Sequence, residues 1–342
     1  MRRILIVRLS AIGDVVMAAP VAQRLRDHYP GAHIAWLAQE AEAGLLGLHP
    51  ALDEVIVWPR GRWRELRREG RRRTWLRELR ALAAVLRSRR FDVAIDLQGL
   101  LKSAFWARLS GAPRRIGLGP REGSRLLVTR HVPRPPGDPG YGSEYRSLLD
   151  RLGVPPEPYR VEWALGPELK AGVAERIREN GVGGDYAVLC PFTTRPQKHW
   201  VEERWLELGR ELERRTGLRP LVLGGPGDRI AARGLQAGGL PGLVGETTLA
   251  EAAAAIAGAR LLVGVDTGLT HLGLSLGIPT VALFGSTRPY LEPGVPHARV
   301  LYRGLPCSPC RRRPVCGGSF DCMAQIRVDE VCATAVGVLG AR

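Results

Sequence analysis

Leu261–Phe284, LLVGVDTGLTHLGLSLGIPTVALF, is the stretch that decides the fold. Leu261 to Val265 is a short apolar run and reads as a buried strand. The chain then turns at Asp266-Thr267-Gly268 and enters a helical segment carrying Thr270 and His271. Gly277-Ile278-Pro279 stops that helix, and Thr280 to Phe284 reads as the next strand. Strand, turn, helix and strand in this order form one unit of a parallel sheet. The turn falls at the carboxyl end of a strand, where open α/β sheets bind ligands. The helix start that follows offers unpaired N–H groups and a positive dipole end, which suit a phosphate. Two plainer readings stand beside this one: Asp266 or Thr267 as a helix cap, and His271 as a core histidine with its hydrogen bonds satisfied. The Asp-Thr-Gly triplet of aspartic proteases needs an all-β setting, and this one is α/β.

The same alternation extends in both directions. Arg3–Arg8 is an apolar strand, and its exit loop carries Gly13 and Asp14 ahead of a helical stretch from Val15 to Tyr29. Asp14 stands where an N-cap would, and a carboxylate on that loop could equally serve as a general base. His33–Ala38, Glu54–Trp58 and Phe91–Leu97 are further strands, with a helix at Leu100–Leu109. Pro155-Pro156-Glu157-Pro158 is a stiff connector, which places a domain boundary near Trp163. The second half repeats the plan. Strands Tyr186–Cys190 and Pro220–Leu223 lead into the loop Pro191–Trp200 and into Gly224-Gly225-Pro226-Gly227. An Ala-rich helix, Leu249–Ala257, follows, and Val328–Leu339 reads as the last helix. Neither half carries G-x-G-x-x-G or a P-loop, so a nicotinamide dehydrogenase or an NTPase is poorly supported.

Composition narrows the partners. A chain of 342 residues with 45% hydrophobic content is globular, and its length suggests about two domains. The net charge of +16 implies an anionic partner: nucleic acid, an anionic membrane surface or a phosphorylated substrate. Much of that charge lies between Arg60 and Arg90, where thirteen Arg face three Glu. Trp75, Leu79, Leu82 and Leu86 within it recur at helical spacing, giving an amphipathic helix with a cationic face. No apolar run approaches the roughly 20 residues that span a bilayer. The Arg2-Arg3 start mimics a secretory signal, but Arg8 and Asp14 interrupt its apolar core, so a mature cytoplasmic protein is expected. Cys307, Cys310, Cys316 and Cys322 follow a C-x2-C-x5-C-x5-C spacing. Four thiolates could hold a structural zinc, although the second pair is not a tight knuckle. Cys190 and Cys332 read as buried thiols.

Three loops at strand ends thus carry Asp14, then Thr193, Thr194 and Lys198, then Asp266 to His271. A phosphate site in one α/β half and a lone carboxylate in the other fit group transfer from a nucleotide-activated donor. The cation and helix end would stabilise a diphosphate leaving group, and the carboxylate would take a proton from the acceptor hydroxyl.

Four motifs carry a resemblance to a known family: RILIVRLSAIGDVVMAAP, FDVAIDLQGLLKSA, TTRPQKHW and GVDTGLTHLGLSLGIPTVALFGSTRP. Together they resemble the lipopolysaccharide heptosyltransferases of glycosyltransferase family 9, and TTRPQKHW is most similar to type I. The cysteine-rich CSPCRRRPVC departs from type I and leaves type II, or another nucleotide-sugar transferase of this fold, as the alternative. The resemblance implies a GT-B fold, two Rossmann-like parallel-sheet domains facing a central cleft. Residues 1–163 would bind the acceptor, 164–325 the ADP-sugar, and 326–342 would form a helix packing back toward the first domain. It implies inverting transfer of L-glycero-D-manno-heptose from ADP-heptose to Kdo of Kdo-lipid A, with no metal needed for the chemistry and Asp14 as general base. Lys198, Thr193 and Thr194 would meet the diphosphate and Asp266 the heptose hydroxyls. Thr267, Gly268 and Leu269 would present N–H groups, with His271 supporting that loop. Gly224 and Thr247 would line the adenine side. On the acceptor side, Arg71, Arg72, Arg73, Lys102, Arg114 and Arg115 would meet lipid A phosphates or the anionic inner leaflet, placing the enzyme at the cytoplasmic face of the inner membrane. The rival of a different class is a nucleic-acid binder using the basic segment with Trp63 and Trp75, but no nucleic-acid motif is present and most of the excess positive charge lies in the first half.

Overall fold

The computed structural model describes residues 1–137, 140–310 and 312–341. The chain divides into two compact units. The first closes at Ala164; the second opens at Leu165 and also takes in Gly140 and Tyr141.

The first unit is built on β1 (Arg3–Val7), β2 (His33–Gln39), β3 (Glu54–Trp58), β4 (Val93–Asp96), β5 (Arg114–Leu118) and β6 (Arg130–Val132). All pair in parallel, in the order β3-β2-β1-β4-β5-β6. Alternate residues of each strand enter two separate cores. Ile4, Ile6, Ile34, Trp36 and Ile95 lie on one face, and Leu5, Val7, Leu37 and Ala94 on the other. This is the strand pattern of a sheet covered by helices on both sides. The strand order reverses between β1 and β4, so the switch point falls where Asp14 and Lys102 leave the sheet.

The second unit uses β7 (Tyr186–Cys190), β8 (Arg219–Val222), β9 (Leu261–Val265), β10 (Thr280–Phe284) and β11 (Ala298–Tyr302). Its parallel order is β11-β10-β9-β7-β8, and the switch point lies between β7 and β9. Both loops predicted to bind the donor leave the sheet at that crevice. The closing helix, Val328–Gly340, has its buried side chains, Val331, Cys332, Ala335 and Val338 among them, in the core of this second unit. Its apolar stripe packs against the helix Glu202–Thr216 and the second sheet.

Several local expectations change. The stretch after β1 is two helices, Ile12–Ala18 and Pro20–His28, because Pro20 cannot continue the first hydrogen-bond ladder and starts a new one. The basic segment is likewise two helices, Arg60–Arg68 and Arg72–Ser88, parted at Gly70, whose φ of +71° favours glycine. Trp63, one of the two aromatics offered for base stacking, is buried and donates its Nε1 to Glu78 at 2.9 Å, so it is not a stacking platform. No helix among the described residues is long and apolar enough to cross a membrane.

Candidate active site

In the second unit the site starts from packing. A Cβ on Gly264 of β9 would sit 2.2 Å from Thr270 Oγ1 and 2.8 Å from Cys190 Cβ, so only glycine lets the strand approach its neighbours this closely. Thr270 Oγ1 donates to Val265 O at 2.7 Å and ties the helix Gly268–Ser275 to the strand end. Thr267 is the extended N-cap residue of that helix and makes no side-chain cap bond. The capping alternative for Thr267 therefore fails, and the first-turn N–H groups stay on offer to a ligand.

Asp266, only 8% exposed, organises the site. Its Oδ2 is 2.5 Å from Lys198 Nζ and also accepts from Thr287 Oγ1. Its Oδ1 is 3.2 Å from His271 Nε2, and the other imidazole nitrogen, Nδ1, lies 2.9 Å from Tyr290 OH. Burial pushes the Asp266 carboxyl up, but hydrogen bonds and charge from His271 and Lys198 outweigh it and hold the pKa well below the carboxylate range. His271 is thus a satisfied buried histidine whose partner is Asp266. Thr193 Oγ1 donates to Asp266 O at 3.2 Å, and His199 Nε2 holds Thr193 O at 2.9 Å, so the two predicted loops are bolted together through this aspartate. Trp200 anchors the far end of its loop by donating Nε1 to Ile326 O at 2.9 Å.

The remaining predicted donor residues lie on the Lys198 loop and on two other connections of the second unit. Thr194 is exposed on the Lys198 loop. Gly224 follows β8, where a Cβ would strike Phe192 at 2.6 Å. Thr247 is half-buried ahead of the helix Leu249–Ala257, which Thr248 caps by accepting from Glu251 N at 3.2 Å. A cavity of about 490 Å³ is lined in part by the Pro191–Trp200 loop, but its lining includes Phe192, Trp200 and Trp205 and neither Lys198 nor Asp266, so it is not the anion site.

In the first unit Asp14 does not cap its helix. Ala11 is the N-cap residue, and Asp14 lies within the first turn, at the positive end of the dipole. Its Oδ2 pairs with Arg8 Nη2 at 2.5 Å. The Arg8 side chain is 6% exposed and that of Asp14 is 44% exposed, so a buried cation aims an accessible carboxylate. Arg8 is itself fixed by donating Nη1 to Leu97 O at 3.1 Å, across the switch point. Lys102 lies in the first turn of the helix Leu101–Leu109 that follows β4. Burial lowers its pKa, and so do the nearby Arg60 and Arg8. Arg71, Arg72 and Arg73 are exposed at the start of the crossover helix. Arg114 and Arg115 open β5, at the opposite edge of the sheet from Asp14. Arg115 spends its guanidinium on Leu127 O at 2.9 Å and Ala112 O at 2.7 Å, holding a loop.

The four clustered cysteines, like the other two, are free thiols. Among the described residues no group of three or more His, Cys, Asp or Glu side chains is placed to hold a metal ion. Burial is the first cause of the raised pKa of Cys322.

Sequence reasoning missed Arg8, Thr287 and Tyr290 as site members. Thr287 and Tyr290 do lie in or next to the GSTRP end of the quoted motif, which was the available signal.

Two Rossmann-like parallel sheets, each with polar groups at its switch point, define the GT-B class of glycosyltransferases. The sequence profile of glycosyltransferase family 9 (heptosyltransferase) matches residues 79–317, and the chain belongs to that family. It is 31% identical over 315 residues to lipopolysaccharide heptosyltransferase 1 of Pseudomonas aeruginosa, covering 91% of this chain and 86% of the relative. Among solved structures it is similar to the Escherichia coli heptosyltransferase WaaC with ADP-2-deoxy-2-fluoro heptose (TM-score 0.71, 27% identity, 96% of this chain and 97% of that one). A family 9 glycosyltransferase from Veillonella parvula shares the fold at TM-score 0.80 and 22% identity, over 100% of this chain and 98% of that one.

Proposed function

We propose that this glycosyltransferase moves L-glycero-D-manno-heptose from ADP-heptose to Kdo of the lipopolysaccharide inner core, inverting the anomeric carbon. The observation that carries the reading is the Lys198–Asp266 cluster at the second switch point, beside a helix start. The family relatives named as heptosyltransferases support the donor and the sugar.

In this reading Lys198, the Thr193 and Thr194 hydroxyls and the first-turn N–H groups of Thr267, Gly268 and Leu269 bind the diphosphate. Gly224 and Thr247 flank the adenine, and Asp266 accepts from heptose hydroxyls. Asp14 takes the proton from the attacking Kdo hydroxyl as its oxygen bonds to the anomeric carbon. The bond from that carbon to the phosphate oxygen breaks, and its electron pair leaves on ADP. Lys198 and the helix start stabilise that charge where it develops. Arg8 keeps the Asp14 carboxylate oriented.

The acceptor is anionic, and Arg71, Arg72, Arg73 and Lys102 would engage its phosphates or an anionic leaflet. Leu76, 40% exposed, shares a helix face with Arg72, Arg73 and Arg80, a mixture that suits a lipid surface. Each basic residue near such a surface is worth about 1 kcal/mol. The test is turnover with ADP-heptose and Kdo-lipid A, run beside UDP- and GDP-sugars and beside an acceptor already carrying heptose. Transfer from ADP-heptose to Kdo supports the reading; turnover only with another donor or acceptor contradicts it.

A further inference from the structure

The carboxyl edge of the first sheet holds a second carboxyl group, with no role in the proton transfer described above. Glu42 lies in the helix Glu40–Leu46, which leaves the carboxyl end of β2. It is 5% exposed, and its Oε2 is buried with no hydrogen-bond partner. An ionised carboxylate with an unsatisfied buried oxygen is costly; a protonated one is far less so. Burial accordingly pushes its pKa up to about 7, Glu40 adds to the rise, and the charges of Arg60 and Lys102 oppose it.

The surrounding groups come from each neighbouring element. Glu40 shares its helix, and Gly61, at the start of the helix Arg60–Arg68, lies so close that a Cβ would be 3.8 Å from Glu40 Oε1. Arg60 donates Nη1 to Gln39 Oε1 at 3.3 Å, which holds it over the end of β2. Lys102 comes from the helix after β4. The helix Ile12–Ala18, packed on Glu42's own helix, brings Asp14. His33 and Glu54, on the packed strands β2 and β3, stand at the amino ends of those strands.

We propose that Glu42 is a positioning residue for the anionic acceptor: neutral, it leaves Arg60 and Lys102 their full positive charge, and ionised, it neutralises them and weakens acceptor binding. This rests on the reading that the acceptor is an acidic saccharide held by the first unit. Glu42 touches no reacting atom; it acts through the two cations. Linkage makes the effect reciprocal, so a bound anion favours the protonated carboxyl and raises its midpoint.

Two measurements on the full-length protein test it. In the first, acceptor KM, donor KM and kcat are followed from pH 5.5 to 8.5 for wild type and Glu42→Gln. The acceptor KM of wild type should rise about 5-fold or more across neutral pH while donor KM does not follow, the usual lower end for coupled sites. Glu42→Gln should keep a low acceptor KM throughout. A Glu42→Gln profile that tracks wild type overturns the proposal. In the second, Glu carboxyl carbons are titrated by NMR, Glu42 being assigned by its loss in Glu42→Gln, with and without inorganic phosphate. A midpoint near neutrality that phosphate moves upward supports the coupling; an ordinary carboxylate midpoint, or one that phosphate leaves in place, overturns it. Because this readout needs no turnover, failure of the heptose-transfer reading and failure of the Glu42 proposal are told apart.

Discussion

Replacing Asp266 with Asn removes one charge from the cluster and keeps its shape. The carboxylate is shared by Lys198, His271 and Thr287, with side-chain exposures of 11% for Asp266 and 16% for Lys198. Breaking a buried pair by neutralising one partner costs about 3–5 kcal/mol, because the other charge stays behind. The small residual exposure argues for the lower end, about 3 kcal/mol. For a unit of this size each kcal/mol moves the midpoint by about 2–4 °C, so Asp266→Asn should melt about 6–12 °C below wild type. The difference has a defined pH range. The folded pKa of Asp266 is depressed, so its stabilisation is present above the unfolded value of 3.8 and is lost as pH falls toward the folded one. The gap between the two proteins should therefore be full at pH 7 and shrink below pH 4. ADP adds a second readout. In the variant Lys198 is no longer held by a carboxylate, so its charge is free for a diphosphate. ADP affinity, from calorimetry or from the ligand-induced shift in midpoint, should be kept or raised while turnover falls. A midpoint within a degree of wild type would refute the buried-pair argument. A collapse of ADP affinity would refute the division of labour between Lys198 and Asp266.

Asp14→Ala should cut kcat by about 10²–10⁴-fold, the range for general acid–base help, with the ADP-heptose KM close to wild type; a folded variant with intact kcat removes Asp14 from the chemistry. Glu42→Gln should be more stable than wild type at pH 8 and equal to it near pH 4. The wild-type carboxyl is raised from 4.5 to about 7, so wild-type stability falls as pH rises between those values, by up to about 3 kcal/mol. Equal melting of the two at pH 8 contradicts the buried-acid assignment. Reversing charge at Arg71, Arg72 and Arg73 to Glu should weaken binding to anionic vesicles, with the loss shrinking at high salt; unchanged vesicle binding removes this surface from the acceptor side.

The central strands were readable because both faces of each are buried, which leaves continuous apolar runs such as LLVGV and YAVLC. Three strands escaped that test. β6 has three residues, β11 carries Arg299, and β5 opens with two arginines. Short or charged strands toward a sheet edge do not produce an apolar run. The position of the Pro191–Trp200 and Asp266–His271 loops at the second switch point was legible because strand-turn-helix grammar fixes where a switch point falls. The cross-links inside the site were not. Nothing in the spacing reveals that Thr287 reaches back to Asp266, that Tyr290 holds His271, or that Arg8 is buried against Asp14. Glu42 was invisible for a related reason: glutamate is so rarely buried that its position in the chain reads as surface.

Calorimetric titration of ADP into wild type, Lys198→Ala and Asp14→Ala tests the central claim, that the second unit alone holds the donor's diphosphate, most directly. A hydrogen bond to a charged group is worth about 1.5–3 kcal/mol, so Lys198→Ala should bind ADP about 10- to 150-fold more weakly, with Asp14→Ala unchanged. ADP affinity unaltered in Lys198→Ala, or lost equally in Asp14→Ala, would contradict it.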